Sequence, residues 1–385
     1  MRVVLATLNF PPARGGIEQV CEQLARELTA LGVELQVLAP AQPGDAEHDA
    51  GLVHGVRRFR AGRLRHAGLA RALHAELGRH PQSVVLFAQW TGAGASLLSP
   101  RVRRARTFAL AHAKEVLRPV RGLRGSKPFD VYRRGVLARL DAVIAVSRYT
   151  AERTAAAGAR AVHVAHPGVD AGRFALRSPS LPSAERDSGA PEAPFPLERG
   201  RPQLLTVARL VPRKGIDTLI AALPAIARAY PGVRYRVVGE GPDRARLAAL
   251  AAQHGVEWRV ELAGAATPHE LPAIYAAADL FVLASREDPQ SGDVEGFGLV
   301  LLEAQAAGTA VVAAHSGGMP DALLPGRTGA LAAPNDPAAL AQVVSDLLAD
   351  RPRLQAMGRA ARAHASTRSW RTFAAEVLTI LQAGS

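Results

Sequence analysis

Residues 2–40 read RVVLATLNFPPARGGIEQVCEQLARELTALGVELQVLAP, and this stretch decides the fold. RVVLATL (2–8) is a continuous apolar run, the pattern of a strand buried on both faces. GIEQVCEQLARELTALG (16–32) repeats apolar residues at helical spacing and ends at Gly32, and VELQVLAP (33–40) predicts the next strand. Strand, helix and strand in this order are what a parallel α/β sheet demands.

The alternation continues outward. Further strands are predicted at SVVLFA (83–88), TFALAH (107–112), AVIAVS (142–147) and AVHVAH (161–166), and Ser147 caps a helix that Gly158 ends. Residues 1–176 therefore read as one doubly wound domain. Residues 177–202, rich in Pro, Ser and charge without apolar period, read as a linker. A second series occupies 203–365, with strands at QLLTVA (203–208), RYRVVG (234–239), RVELAG (259–264), DLFVLAS (279–285) and TAVVAA (309–314). A closing helix in about 366–385 is expected to join the first domain. The fold class is α/β: two Rossmann-like, doubly wound domains with an interdomain cleft, and ligands of such sheets bind outside the carboxyl ends of the strands.

A length of 385 residues suits two domains, and 48% hydrophobic with 21% charged residues suits a soluble globular chain. No run reaches the roughly 18 apolar residues of a membrane span, and the start lacks a basic leader, so a cytoplasmic protein is expected. The one cysteine, Cys21, has no partner for an internal disulfide. Charge is uneven: residues 1–175 carry 26 Lys and Arg against 13 Asp and Glu, whereas the remainder carries 21 of each. The excess peaks in 101–139, with 12 basic and two acidic residues, a stretch that attracts phosphates or an anionic membrane surface.

EGFGLVLLE (295–303) sets carboxylates at both ends of a glycine turn and an apolar run. Glycines before a helix make an anion site from unpaired amides and the positive dipole end. Were the whole segment helical, Glu295 and Glu303 would lie about 12 Å apart, beyond the roughly 5–9.5 Å of a hydrolase pair. The pattern suits a ligand with hydroxyls at each end and phosphate between, such as a nucleotide-activated sugar. In TVARLVPRKGIDTLI (206–220), Arg209 and Lys214 follow the second domain's first strand, where two cations can neutralise a diphosphate.

ARLVPRKG with EGFGLVLLEAQAAG resembles the retaining GT-B glycosyltransferases of family 4. The resemblance extends over nearly the whole chain through PPARGGIEQV (11–20), FALAHAKEV (108–116), AVSRYTAERTAAAG (145–158), HPGVDAGRF (166–174) and HSGGMPDAL (315–323). It implies that Gly15 and Gly16 admit donor phosphates and that His112 sits beside the transferred sugar and the acceptor. Arg209 and Lys214 would hold the diphosphate, Glu295 the sugar hydroxyls and Glu303 the ribose. The amides after Phe297, at Gly298, Leu299 and Val300, would meet sugar or phosphate, beside Gly296. Gly239 and Gly264, closing two second-domain strands, join the donor-binding set. The other histidines read as ordinary surface or core residues.

The loop EDPQSGDVEGFG and the PPxxGGI start resemble the phosphatidylinositol mannosyltransferase branch, which points to GDP-mannose, with UDP-sugars as alternatives. The acceptor would carry a hydroxyl and be lipid-linked or phosphorylated, with the enzyme peripheral on the membrane's inner face. The family's mechanism is thought to be front-face attack, the departing phosphate taking the acceptor's proton. No Asp-x-Asp occurs, so no metal and no cofactor beyond the co-substrate is expected. Rival readings are a phosphorylase or nucleotide-sugar epimerase on the same fold, an NAD(P) oxidoreductase through VVGEGPDR, where Arg244 replaces the third glycine, and a nucleic-acid binder. The last is disfavoured because only Phe108, Phe129 and Tyr132 interrupt the basic stretch.

Overall fold

The computed structural model describes residues 1–13, 15–60, 62, 65–113, 116, 127–174, 201–288 and 292–383. The linker expected at 177–202 lies outside these apart from its last two residues, as does 114–126 of the basic stretch apart from Val116.

The chain forms two compact units. The first comprises Met1–Gly168, Ser291–Phe297 and Trp370–Ser385. Its strands are β1 (Arg2–Ala6), β2 (Glu34–Pro40), β3 (Gly55–Phe59), β4 (Val84–Phe87), β5 (Thr107–Ala111), β6 (Ala142–Ala145) and β7 (Val162–Val164). They make one parallel sheet in the order β3-β2-β1-β4-β5-β6-β7. The four residues Val3–Ala6 and all of β4, β5 and β6 are buried, which is why they read as unbroken apolar runs.

The second unit comprises Val169–Gln290 and Gly298–Ser369. Its strands are β8 (Gln203–Val207), β9 (Arg234–Val238), β10 (Val260–Gly264), β11 (Leu280–Leu283), β12 (Ala310–Ala314) and β13 (Gly329–Ala332), ordered β10-β9-β8-β11-β12-β13, again all parallel. In each unit the strand order reverses beside the first strand, between β1 and β4 and between β8 and β11. Those are the places where such sheets open to a ligand.

Two strands are absent from the sequence reading, β3 (GVRRF) and β13 (GALA). Both lie at a sheet edge. An edge strand has one solvated side and needs no continuous apolar run, so Arg57 and Arg58 are tolerated in β3.

Helix Gly16–Ala30 buries Val20, Cys21, Leu24, Ala25 and Leu28, and the C-terminal helix Trp370–Ala383 packs against it. Arg106 Nη2 donates to the Leu381 carbonyl at 2.5 Å, fastening that helix to the start of β5. Burial pushes the Cys21 thiol up to about 12, which removes it as a nucleophile.

Candidate functional site

In the first unit the site grows from the carboxyl ends of β5, β6 and β7. His112 follows β5 directly and is buried, and its Nε2 lies 2.9 Å from the Ala88 carbonyl. A carbonyl can only accept, so Nε2 is the donor of that bond. The next residue, Ala113, has φ 77 and is fully buried. A left-handed residue with a Cβ costs on the order of 1–3 kcal/mol, so the surrounding backbone holds a strained turn immediately after His112.

The turn that precedes helix Leu299–Ala306 is seated on these strand ends. A Cβ on Gly296 would run into the His112 carbonyl, so the glycine is required by the backbone of the chain itself, in addition to any ligand. The Phe297 ring stacks on His166, with centroids 5.5 Å apart and planes at 25°. His166 Nδ1 lies 3.2 Å from the Val146 carbonyl at the end of β6. His166 is a residue that sequence reasoning set aside as ordinary, although HPGVD at a strand end carried the signal. Glu295 stands half-buried at the head of this turn.

Gly15 is the N-cap of helix Gly16–Ala30, and the Glu18 carboxylate lies against it while accepting from Asn9 Nδ2 at 2.8 Å. The amides at Gly15 and Gly16 thus already have a carboxylate of the chain beside them, as a helix amino end favours.

In the second unit, Arg209 is exposed in the loop after β8, and Lys214 is half-buried at the end of the short 3-10 turn Pro212–Lys214. The loop is fixed from two directions. The Leu210 amide donates to the Glu240 carbonyl at 2.9 Å, and the Arg286 amide donates to the Arg213 carbonyl at 2.8 Å. The Arg286 guanidinium then grips Asp217 through both nitrogens, at 2.7 and 2.8 Å, and Arg246 adds a third bond at 3.0 Å. Burial alone would raise the Asp217 carboxyl, but Arg286 and Arg246 outweigh it and hold it below its ordinary value.

Helix Leu299–Ala306 begins after Gly298, whose φ of 87 makes the turn into it, and its first turn contains no acidic side chain. Its leading amides, including those of Leu299 and Val300, therefore present positive potential that no acidic side chain of that turn offsets. Glu303 is buried on this helix and accepts from the Tyr275 hydroxyl at 2.8 Å. Tyr275 is itself fully buried, and burial together with Glu303 keeps its phenol well above its ordinary value, so it remains a donor. The Thr309 hydroxyl donates to the Tyr275 carbonyl at 2.7 Å and fixes the position of that residue. Nothing in the sequence pointed to Tyr275.

Two features differ from the sequence reading. Only Leu299–Ala306 is helical, so the Glu295 to Glu303 spacing is not a distance along one helix axis. Gly239 donates its amide to the Gly264 carbonyl at 2.7 Å, and the space a Cβ would need is taken by the Ala208 carbonyl, so these two candidate donor residues engage each other.

Residues 14–173 match the family model described as Glycosyltransferase Family 4, and residues 191–364 match Glycosyl transferases group 1. A GDP-mannose-dependent alpha-(1-6)-phosphatidylinositol monomannoside mannosyltransferase of Mycolicibacterium smegmatis is 36% identical over 394 residues, covering 98% of both chains. A mannosyltransferase of Corynebacterium glutamicum acting on the monoacylated form is 31% identical, covering 99% of this chain and 98% of its own. The crystal structure of Anabaena HepE with UDP superposes with a TM-score of 0.79 at 21% identity over 100% of both chains. Parallel doubly wound sheets, a histidine closing β5, a basic loop after β8 and similarity running the length of the chain converge on one conclusion. This protein belongs to the family 4 glycosyltransferases of GT-B fold and transfers a sugar from a nucleotide-sugar donor.

Proposed function

We propose that the chain moves a mannosyl group from GDP-mannose to a hydroxyl of a phosphatidylinositol mannoside, with retention of configuration and without a divalent metal, at an anionic membrane surface. The observation that carries the donor and acceptor is the reach of the likeness to the mycobacterial enzyme, 36% identity over 98% of each chain.

In this reading the second unit holds the nucleotide. Arg209, Lys214 and the amino end of helix Leu299–Ala306 take the diphosphate, and Glu303 takes the ribose hydroxyls. In the first unit His112 and Glu295 meet the sugar and the acceptor. As the diphosphate departs, negative charge grows on the leaving phosphate oxygen, and two cations with a helix amino end are the groups that stabilise it. That same oxygen takes the proton of the attacking hydroxyl on the face it has just left. Metal independence is the reading of the sequence, which contains no Asp-x-Asp and places Arg209 and Lys214 where a diphosphate would need neutralising. Membrane contact is supported by Leu98, 80% exposed and shortly before the exposed Arg101, Arg103 and Arg104 in the chain, and by Val131, 71% exposed. Among the described residues no helix is long and apolar enough to cross a membrane.

The test is incubation of the full chain with GDP-mannose and phosphatidylinositol monomannoside in anionic vesicles, with product identified by mass spectrometry and its anomeric configuration by NMR. An α-linked mannoside formed equally in EDTA is expected. Inversion, dependence on divalent metal, or transfer only from another donor would each remove the corresponding part of the reading.

A further inference from the structure

The loop after β1 contains a segment with little means of fastening itself. Phe10, Pro11 and Pro12 lie between β1 and Gly15, and the two prolines bring no N–H to donate. Such a segment gains polar anchorage through its carbonyls, and the donors must come from elsewhere. Two side chains supply them. Gln42 Nε2 donates to the Phe10 carbonyl at 2.6 Å, and Arg58 Nη2 donates to the Pro11 carbonyl at 2.7 Å.

Arg58 lies on the edge strand β3 beside Arg57, and successive side chains of a strand point to opposite faces. Arg57 pairs with Glu76 of helix Arg65–Arg79, whereas Arg58 turns towards the loop. Its Nε donates to Asp49 Oδ2 at 2.9 Å and its Nη2 to Asp49 Oδ1 at 2.6 Å, while Nη1 donates to the Pro40 carbonyl at 3.2 Å. The guanidinium carbon lies 5.4 Å from the centre of the buried Phe10 ring, which His48 and His54 meet edge-on at 6.2 and 6.4 Å. The arginine side chain is only 11% exposed. A lysine ammonium could not replace it, because one nitrogen cannot span both carboxylate oxygens and two carbonyls while lying against a ring. Gly15 is the N-cap of helix Gly16–Ala30, and a shift at Pro11 has only three residues in which to dissipate before it reaches that cap.

We propose that Arg58, held by Asp49, is a positioning residue for the transfer: it fixes segment 10–12 and so sets where the amides of Gly15 and Gly16 meet the donor phosphates. The proposal rests on the transfer reading above and adds to it a residue pair, remote in the chain, that acts through the loop without touching the donor.

Steady-state kinetics of the full chain with GDP-mannose and vesicles of phosphatidylinositol monomannoside test it in Arg58→Ala, Arg58→Lys, Asp49→Asn and Arg57→Lys, each with a thermal melt. Arg58→Ala and Arg58→Lys are expected to raise the donor KM by about fivefold or more and to leave the acceptor KM within about twofold. Arg58→Lys carries the test where Arg58→Ala does not fold. Asp49→Asn should raise the donor KM less and add nothing in the double variant with Arg58→Lys, because Asp49 acts through Arg58. Arg57→Lys, on the opposite face, should leave the donor KM within about twofold. A mere loss of folded protein would lower kcat and move neither KM. Hydrogen exchange gives a second readout: GDP-mannose should slow exchange over residues 8–20 in the wild type, with the slowing reduced by about threefold or more in Arg58→Lys. Folded Arg58 variants with an unchanged donor KM, an equal rise in Arg57→Lys, or additive losses in the double variant would overturn the assignment. Equal protection by GDP-mannose in wild type and Arg58→Lys would overturn it as well. A wild type that transfers no mannose, yet shows protection that Arg58→Lys loses, overturns the transfer reading and leaves the Arg58 assignment standing.

Discussion

Gly296 occupies a position where one methyl group is too many. The His112 carbonyl fills the space beside its Cα, so Gly296→Ala must displace either the turn carrying Glu295 and Phe297 or the strained His112–Ala113 backbone. Transfer is expected to fall by about 10²-fold, since misplacement of that size near the chemistry costs this much. Steady-state kinetics with a parallel thermal melt would check it, and near-wild-type kcat would show that the turn relaxes harmlessly. Lys214→Ala and Glu295→Ala act differently. Each removes a group proposed to meet the donor, so kcat/KM should drop by about 10²-fold or more while the melting temperature stays put. A variant with normal turnover would take that residue out of the mechanism. Tyr275 touches no substrate in this reading and positions Glu303 through one hydrogen bond of 2.8 Å. Tyr275→Phe should therefore raise the donor KM several-fold with little change in kcat, about 1 kcal/mol of lost orientation. An equal fall in kcat for every donor would contradict a positioning role.

At the scale of elements, the loops after the strands carry the site, and their rigidity comes from polar side chains that belong to neighbouring elements. Ser147 caps helix Arg148–Ala156 by accepting from the Thr150 amide at 3.2 Å, a local device visible in the sequence. The clamp on the β8 loop is not local, because Arg286 and Asp217 are joined only when β11 lies beside β8. Its pH dependence follows from the direction of the shift. The Asp217 carboxyl is held below its ordinary value in the folded chain, so its contribution is present above that ordinary value and is lost as pH falls through the depressed one. Asp217→Asn should thus be less stable than the wild type near neutrality, with the gap closing in acid. Urea denaturation at several pH values below about 5 measures this, and a gap that widens in acid would contradict the clamp.

At the scale of the whole molecule, the first unit is completed by the far end of the chain. Phe373, Ala374, Val377 and Leu381 of helix Trp370–Ala383 are buried, and each large apolar side chain is worth roughly 1.5–3 kcal/mol when removed from water. Truncation before Trp370 is expected to lower the melting temperature of the first unit by several degrees or to prevent its folding. Unchanged melting would mean that helix Gly16–Ala30 is stable without that cover.

Continuous apolar runs such as Val3–Ala6 and β11 could be read directly, because burial on both faces leaves no room for polar residues. The edge strands β3 and β13 were not read, because paired arginines in GVRRF and the small residues of GALA leave no apolar run, whereas the edge strands β7 and β10 kept enough apolar residues to be read. The motif residues likewise stood out, because glycines, cations and carboxylates at strand ends have few structural reasons to recur together. The sequence by itself therefore determined the two doubly wound sheets and the set of residues proposed to hold the nucleotide sugar. Only the tertiary structure decided that Gly296 yields to the His112 carbonyl, that Phe297 stacks on His166, that Tyr275 holds Glu303 and that Trp90, Phe129 and Tyr132 enclose one cavity. Each of these joins residues between 28 and 184 positions apart along the chain except for neighbours within the cavity wall. Periodicity and short motifs encode what lies within a turn or two of helix or strand, whereas contacts of that range exist only once the strands have taken their order.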